Sequence, residues 1–100
     1  MKMIINGKMY NTDTATLVGD YQSEHPSTDA YYYEEELYLK KTGEMFLYGK
    51  GMSFSKYSKY YTRIHDCATI IPLSTVEAKE WAEKHLHADD YIELFGEVEE

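Results

Sequence analysis

The amino-acid sequence predicts an α+β fold, a small antiparallel sheet of about four to five strands (two hairpins plus a further strand) packed by C-terminal helices. Three observations carry that expectation: an Asn-Gly pair set between two short apolar stretches, a period-two alternation over residues 31–40 followed by a glycine turn, and a helix-capping motif ahead of helically spaced apolar residues.

Met3-Ile4-Ile5-Asn6-Gly7-Lys8-Met9-Tyr10 reads as the first hairpin, because Asn and Gly tolerate the positive φ of a type I′ turn, whose twist matches paired strands. Asn11-Thr12-Asp13-Thr14 is turn chemistry, and Ala15 to Tyr21 follows as a strand carrying Leu17, Val18 and Tyr21. Gln22 to Asp29 sets Pro26 among polar residues with nothing periodic to bury, so it reads as a loop. From Tyr31 to Lys40, alternation puts Tyr31, Tyr33, Glu35, Leu37 and Leu39 on one side. Tyr32, Glu34, Glu36, Tyr38 and Lys40 fall on the other, which is expected to face water. Lys41-Thr42-Gly43 supplies a turn and Glu44 to Gly49 the return strand of a second hairpin.

Met52 to Arg63 mixes helical spacing at Tyr57, Tyr60, Tyr61 and Ile64 with many Ser and Thr residues, and is expected to be an ordered loop. Ala68-Thr69-Ile70-Ile71 is a final short strand stopped by Pro72. Ser74-Thr75-Val76-Glu77 is a capping box, preceded by Leu73, and opens a helix from Thr75 to about Leu86. Its buried stripe is Ala78, Trp81, Ala82 and His85 or Leu86, with Trp81 as the anchor and Glu80–Lys84 as an i,i+4 pair. A shorter helix from Ala88 or Asp89 runs through Tyr91, Ile92, Leu94 and Phe95 to Gly96 as its cap. Residues 1–96 therefore read as one domain and 97–100 as an acidic tail.

Hydrophobic residues at 43% and aromatics at 15% exclude a disordered chain despite a net charge of −8. Tyr supplies 11 of the aromatics, and its amphipathic ring suits a sheet face in water or an interface. Cys67 is the lone cysteine, so an internal disulfide and a multi-Cys metal motif are excluded and a reducing compartment is expected. No apolar run approaches the ~20 residues of a membrane span, and Asn6-Gly7 interrupts the start before a signal core develops, so the expected location is cytoplasmic, with no membrane partner.

Reactive residues do not converge. His65-Asp66-Cys67 offers a base, an acid and a nucleophile, but neighbours on a strand point in different directions, and Cys67 reads as a small buried hydrophobe. His85-Leu86-His87 with Asp89 and Asp90 lacks the i,i+4 spacing of a zinc site; a cation-favouring helix C-terminus accounts for the histidines. Gly43, Gly49 and Gly51 match no phosphate-cradling pattern. No catalytic residue, metal or cofactor is expected.

Charge is more informative. Residues 1–49 carry a net of −4, residues 50–64 a net of +4 from Lys50, Lys56, Lys59 and Arg63, and residues 65–100 a net of −8. Lys56, Lys59 and Arg63 interleaved with Tyr57 could contact single-stranded nucleic acid, although the overall field repels phosphate. The opposite assignment gives the acids to a basic partner: Glu34, Glu36, Asp89, Asp90 and Glu93 for charge, and Tyr32, Tyr38 and Tyr60 as anchors. Homodimerisation through a Tyr-rich edge strand is a further alternative.

Several stretches carry a family resemblance: Ile5 to Ala15, Glu36-Leu37-Tyr38 through Gly43 to Phe46-Leu47-Tyr48-Gly49, Ser55-Lys56-Tyr57, and Ile70-Ile71-Pro72-Leu73-Ser74 through Glu77-Ala78 to Trp81-Ala82-Glu83. In this order they resemble a family of small acidic proteins from phages and mobile elements of Gram-positive bacteria. The chain departs from the family pattern at Met52-Ser53-Phe54 and at Tyr31-Tyr32-Tyr33. The resemblance implies an inhibitor of host defence of the anti-CRISPR kind, which occupies the DNA-contacting surface of a Cas nuclease.

Overall fold

The Asn6-Gly7 turn closes the first hairpin in the computed structural model, which describes residues 1–100. Asn6 and Gly7 take φ of +50° and +77°, the left-handed pair that such a turn requires. Strand β1 (Lys2–Ile5) thereby pairs antiparallel with β2 (Lys8–Asn11) as a separate two-stranded sheet. The other four strands, β3 (Thr16–Gln22), β4 (Tyr33–Leu39), β5 (Met45–Gly51) and β6 (Ala68–Leu73), form an antiparallel meander in the order β3-β4-β5-β6. The fold is α+β.

Two expectations change at the sheet edges. Pro72 does not stop the last strand: β6 continues through it to Leu73, with Pro72 opposite Phe46. β6 is an edge strand, the place where a residue without an N–H is tolerated. Tyr-rich β4 is interior to the larger sheet, whose edges are β3 and β6.

Helices α1 (Thr75–His85) and α2 (Ala88–Phe95) cover one face of the larger sheet. The capping box forms in full: Glu77 N–H donates to Ser74 Oγ at 3.1 Å, and Ser74 N–H donates to Glu77 Oε1 at 2.8 Å. Trp81 and Ala82 then pack on Leu37 and Leu47 from the two central strands. Glu80 and Lys84 do not form the expected ion pair. Gly96, at φ +95°, ends α2.

The opposite face of β4 was expected to be wet, and at its Tyr38 end it is not. The N-terminal hairpin folds over it, and Tyr10, Tyr38, Phe46 and Ile70 make a second core. Tyr38 stacks on Phe46 at 5.3 Å between centroids, and Tyr10 meets Phe46 edge-on at 5.5 Å. The molecule is thus three layers deep: hairpin, four-stranded sheet, helices. Between β5 and β6, the tract expected as a loop over Met52 to Arg63 forms no strand or α-helix, and the irregular segment extends to residue 66. It holds a one-turn 3₁₀ helix, Ser58–Tyr60, and a tight turn closed by the Thr62–Asp66 bridge. Its start is tied to the 23–32 loop by Met52 N–H to Tyr32 O and Phe54 N–H to Ala30 O, both 2.8 Å. No helix is long and apolar enough to cross a membrane.

Candidate interaction surface

The alternation of β4 that turns Leu37 toward the helices turns Glu35 the same way, and its carboxylate is 2% exposed. A buried charge needs partners. Tyr57 Oη–H donates to Glu35 Oε2 at 2.5 Å, Trp81 Nε1–H donates to Oε1 at 2.9 Å, and Lys56 Nζ lies 2.8 Å from Oε2. Three elements far apart in sequence thus meet on one carboxylate: the central strand, the 52–66 segment and α1. Gly49 makes this possible. It sits opposite Glu35 on β5, and a Cβ there would fall inside the Tyr57 ring. Desolvation pushes Glu35 upward, and the bonds from Lys56, Tyr57 and Trp81 together overcome it, so the carboxyl titrates below its usual value of 4.5. Every buried side-chain polar atom in the molecule has a partner. With both oxygens engaged, Glu35 fastens the 52–66 segment to the sheet. Its alternation row, a carboxylate between Tyr33 and Leu37, was the available signal in the sequence; the partners were not.

His85 packs against Tyr21 at 3.9 Å and Trp81 at 5.0 Å between ring centroids, with interplanar angles of 31° and 58°. Desolvation pushes its pKa below 6.5, although it stands in the last turn of α1. His87 is the N-cap of α2, not part of the α1 terminus. Cys67 is half-buried, not fully buried as expected. With His65 and Asp66 it lines an open groove of about 500 Å³ that also contains Tyr32, Glu34 and Lys50.

These shifts set an acid sensitivity. Glu34, Glu35, Glu44 and Glu77 all titrate below 4.5 in the fold, Glu44 at about 2 because of Lys8, Thr42 and Lys40. The unfolded chain takes up those protons first, as it does for His85 below pH 6.5. Across the acidic and neutral range, stability is therefore expected to be complete from pH 6.5 to about 10, to begin falling below pH 6.5, and to fall most steeply between pH 4.5 and about 2. Urea midpoints measured across this range check it; a midpoint unchanged from pH 7 to pH 3 would contradict the pairing described.

The residues proposed for recognition separate into three groups. Tyr38 and Tyr57 are core residues, 9% and 1% exposed, and neither is available to anchor a partner or stack on a base. Burial and the Glu36 carboxylate, which accepts from Tyr38 Oη–H at 3.0 Å, raise Tyr38 to about 12. Glu34 is neutralised: Lys50 Nζ lies 3.1 Å away and Tyr32 Oη–H donates to it at 2.7 Å. Half of the basic tract is compensated. Lys50 is paired with Glu34 and Lys56 with Glu35, whereas Lys59, its Nζ 5.3 Å over the half-buried Tyr60 ring, and Arg63 in the tight turn are exposed and form no ion pair.

Asp89, Asp90 and Glu93 form the third group, exposed on α2. From Thr75 onward the chain carries nine acids and two lysines, a net of −7, whereas residues 1–74 carry only −1. The four ion pairs of the molecule all lie outside this helical region, between Lys8 or Lys40 and Glu44, Lys50 and Glu34, and Lys56 and Glu35. Helices α1 and α2 carry −4 of this, six acids against two lysines with no ion pair among them, and Glu97, Glu99 and Glu100 beyond α2 carry the other −3.

Comparison with protein-family models, with curated proteins and with solved structures identifies no match for this chain.

Proposed function

We propose that this protein is a non-catalytic inhibitor of the anti-CRISPR kind, which binds a basic, nucleic-acid-handling protein such as a Cas effector through the acidic layer of α1 and α2. The uncompensated −7 from Thr75 onward is the observation that carries this reading. Carboxylates with no lysine of their own are free to meet the Lys and Arg that a nucleic-acid-binding groove uses for phosphate, and their field steers the encounter.

Target cleavage by Cas effectors of Gram-positive bacteria, and binding to them at rising salt, test the proposal. Reversal of three charges together, Asp89→Lys, Asp90→Lys and Glu93→Lys, is expected to weaken binding about a thousandfold or more, because close charge pairs are worth on the order of 1.5 kcal/mol or more each. Glu34→Lys is expected to weaken it less, since Lys50 already compensates that carboxylate. Asp89 and Asp90 also favour the α2 dipole from its first turn, so helix content is followed by circular dichroism in the same samples. Salt-insensitive binding, or no binding to any Cas effector, would sink the reading.

A further inference from the structure

α2 is an amphipathic helix none of whose residues is buried: Tyr91, Ile92, Leu94 and Phe95 all remain half-exposed. An apolar stripe normally faces a core. Tyr91, Leu94 and Phe95 pack on the edge of the core around Trp81, and on one side of α2 Tyr91 and Ile92 line an open cleft of about 430 Å³ against α1, with further walls from Ala82, Leu86, Ala88 and Val98. Val98 is 59% exposed, so the C-terminal segment leaves the cleft accessible rather than filling it. The cleft lies at the small end of the range of about 300–1,000 Å³ typical of binding pockets, a size for a side chain rather than a large cofactor.

Its surroundings are mainly acidic, with Lys84 beside Glu83 and Lys79 over the Phe95 ring as the nearby cations. Glu83 is in the wall, Asp89 and Asp90 flank Ala88 and Tyr91, Glu93 follows Ile92, and Glu97 and Glu99 bracket Val98. No lysine or arginine lines it. We infer that this cleft receives an apolar side chain presented between Lys and Arg residues of the basic partner, so that one aromatic or branched aliphatic anchor is buried while its cationic neighbours meet the flanking carboxylates. The inference rests on the acidic-layer reading and adds its specificity: charge steers, and the apolar anchor holds. A purely acidic surface would accept any polycation, whereas a surface with an apolar socket at its centre discriminates among basic segments.

The test uses the full chain and two synthetic peptides, one rich in Lys and Arg with a single central phenylalanine, the other identical except for serine in its place. Affinities come from calorimetry and contacts from methyl and amide NMR shifts. The phenylalanine peptide is expected to bind about tenfold to a hundredfold more tightly, as burial of one large apolar side chain provides. It is expected to shift the signals of Leu86, Ile92 and Val98, and Val98→Ser, at an exposed position, should lower its affinity without affecting the serine peptide. Equal affinities for the two peptides would overturn the inference and leave the acidic-layer reading intact. Failure of both peptides to bind would overturn that reading and the inference with it.

Discussion

Glu35→Ala is expected to lower folding stability by about 3–5 kcal/mol, a large share of the ~5–15 kcal/mol typical of a domain. Lys56 contributes little to that loss, because its side chain is 53% exposed and its charge returns to water. The cost arises at Tyr57 Oη–H and Trp81 Nε1–H, two buried donors that lose their only acceptor, at about 1–3 kcal/mol each, with a further contribution from the space left behind. Glu35→Gln is expected to cost roughly half as much. Its carbonyl can still accept from Trp81, and its amide can donate to Tyr57 once the hydroxyl turns, but the charge assistance is gone. Urea denaturation at pH 7 measures both variants; the alanine variant should also melt at least ~12 °C lower, by the usual scaling for a domain of this size. A change below 1 kcal/mol for Glu35→Ala would show that the carboxylate does not fasten the 52–66 segment.

Gly49→Ala is expected to be nearly as damaging, for a steric reason. The added Cβ would occupy the position of the Tyr57 ring, which is 1% exposed and enclosed by the sheet, Tyr33 and Tyr60. The ring must leave, and the 52–66 segment must lift with it. The expected loss is about 3 kcal/mol, comparable to truncating a large buried aromatic residue. Tyr57→Ala provides the decisive background. With the ring absent, Gly49→Ala should become neutral or stabilise by up to about 1 kcal/mol, since Gly in a strand is entropically unfavourable relative to Ala. The sign of the Gly49 effect is therefore expected to depend on residue 57, with a coupling energy of ~2 kcal/mol or more. Hydrogen exchange should show the 52–66 amides losing protection in the single Gly49→Ala variant. Additive effects in the double variant would exclude the steric explanation.

These two residues also mark how far local pattern carries. Hairpins, turns and the helix start were legible because their determinants are adjacent in sequence: Asn6 with Gly7, and Ser74 with Glu77. The alternation of β4 correctly separated Glu35 and Leu37 from Glu34, Glu36 and Tyr38. Alternation says which side a residue points to, not what covers that side. The N-terminal hairpin covers Tyr38, and a chain segment from beyond β5 covers Glu35. Gly49 within a strand was a sign of close backbone approach. Its partner, Tyr57, arrives through an irregular segment whose path no periodicity encodes.

The same distinction divides the electrostatics. The sequence by itself determined the net charge of −8 and its division along the chain, including the basic stretch at residues 50–64. Tertiary structure alone decided which of those charges remain available. An ion pair depends on a separation of a few ångströms, and only folding brings Lys50 within 3.1 Å of Glu34 and Lys56 within 2.8 Å of Glu35. Half of the basic tract is thereby consumed by the central strand, while the carboxylates of α1 and α2 acquire no cationic partner. A chain with alternating charged segments becomes, once folded, a nearly neutral sheet and hairpin with an acidic helical face.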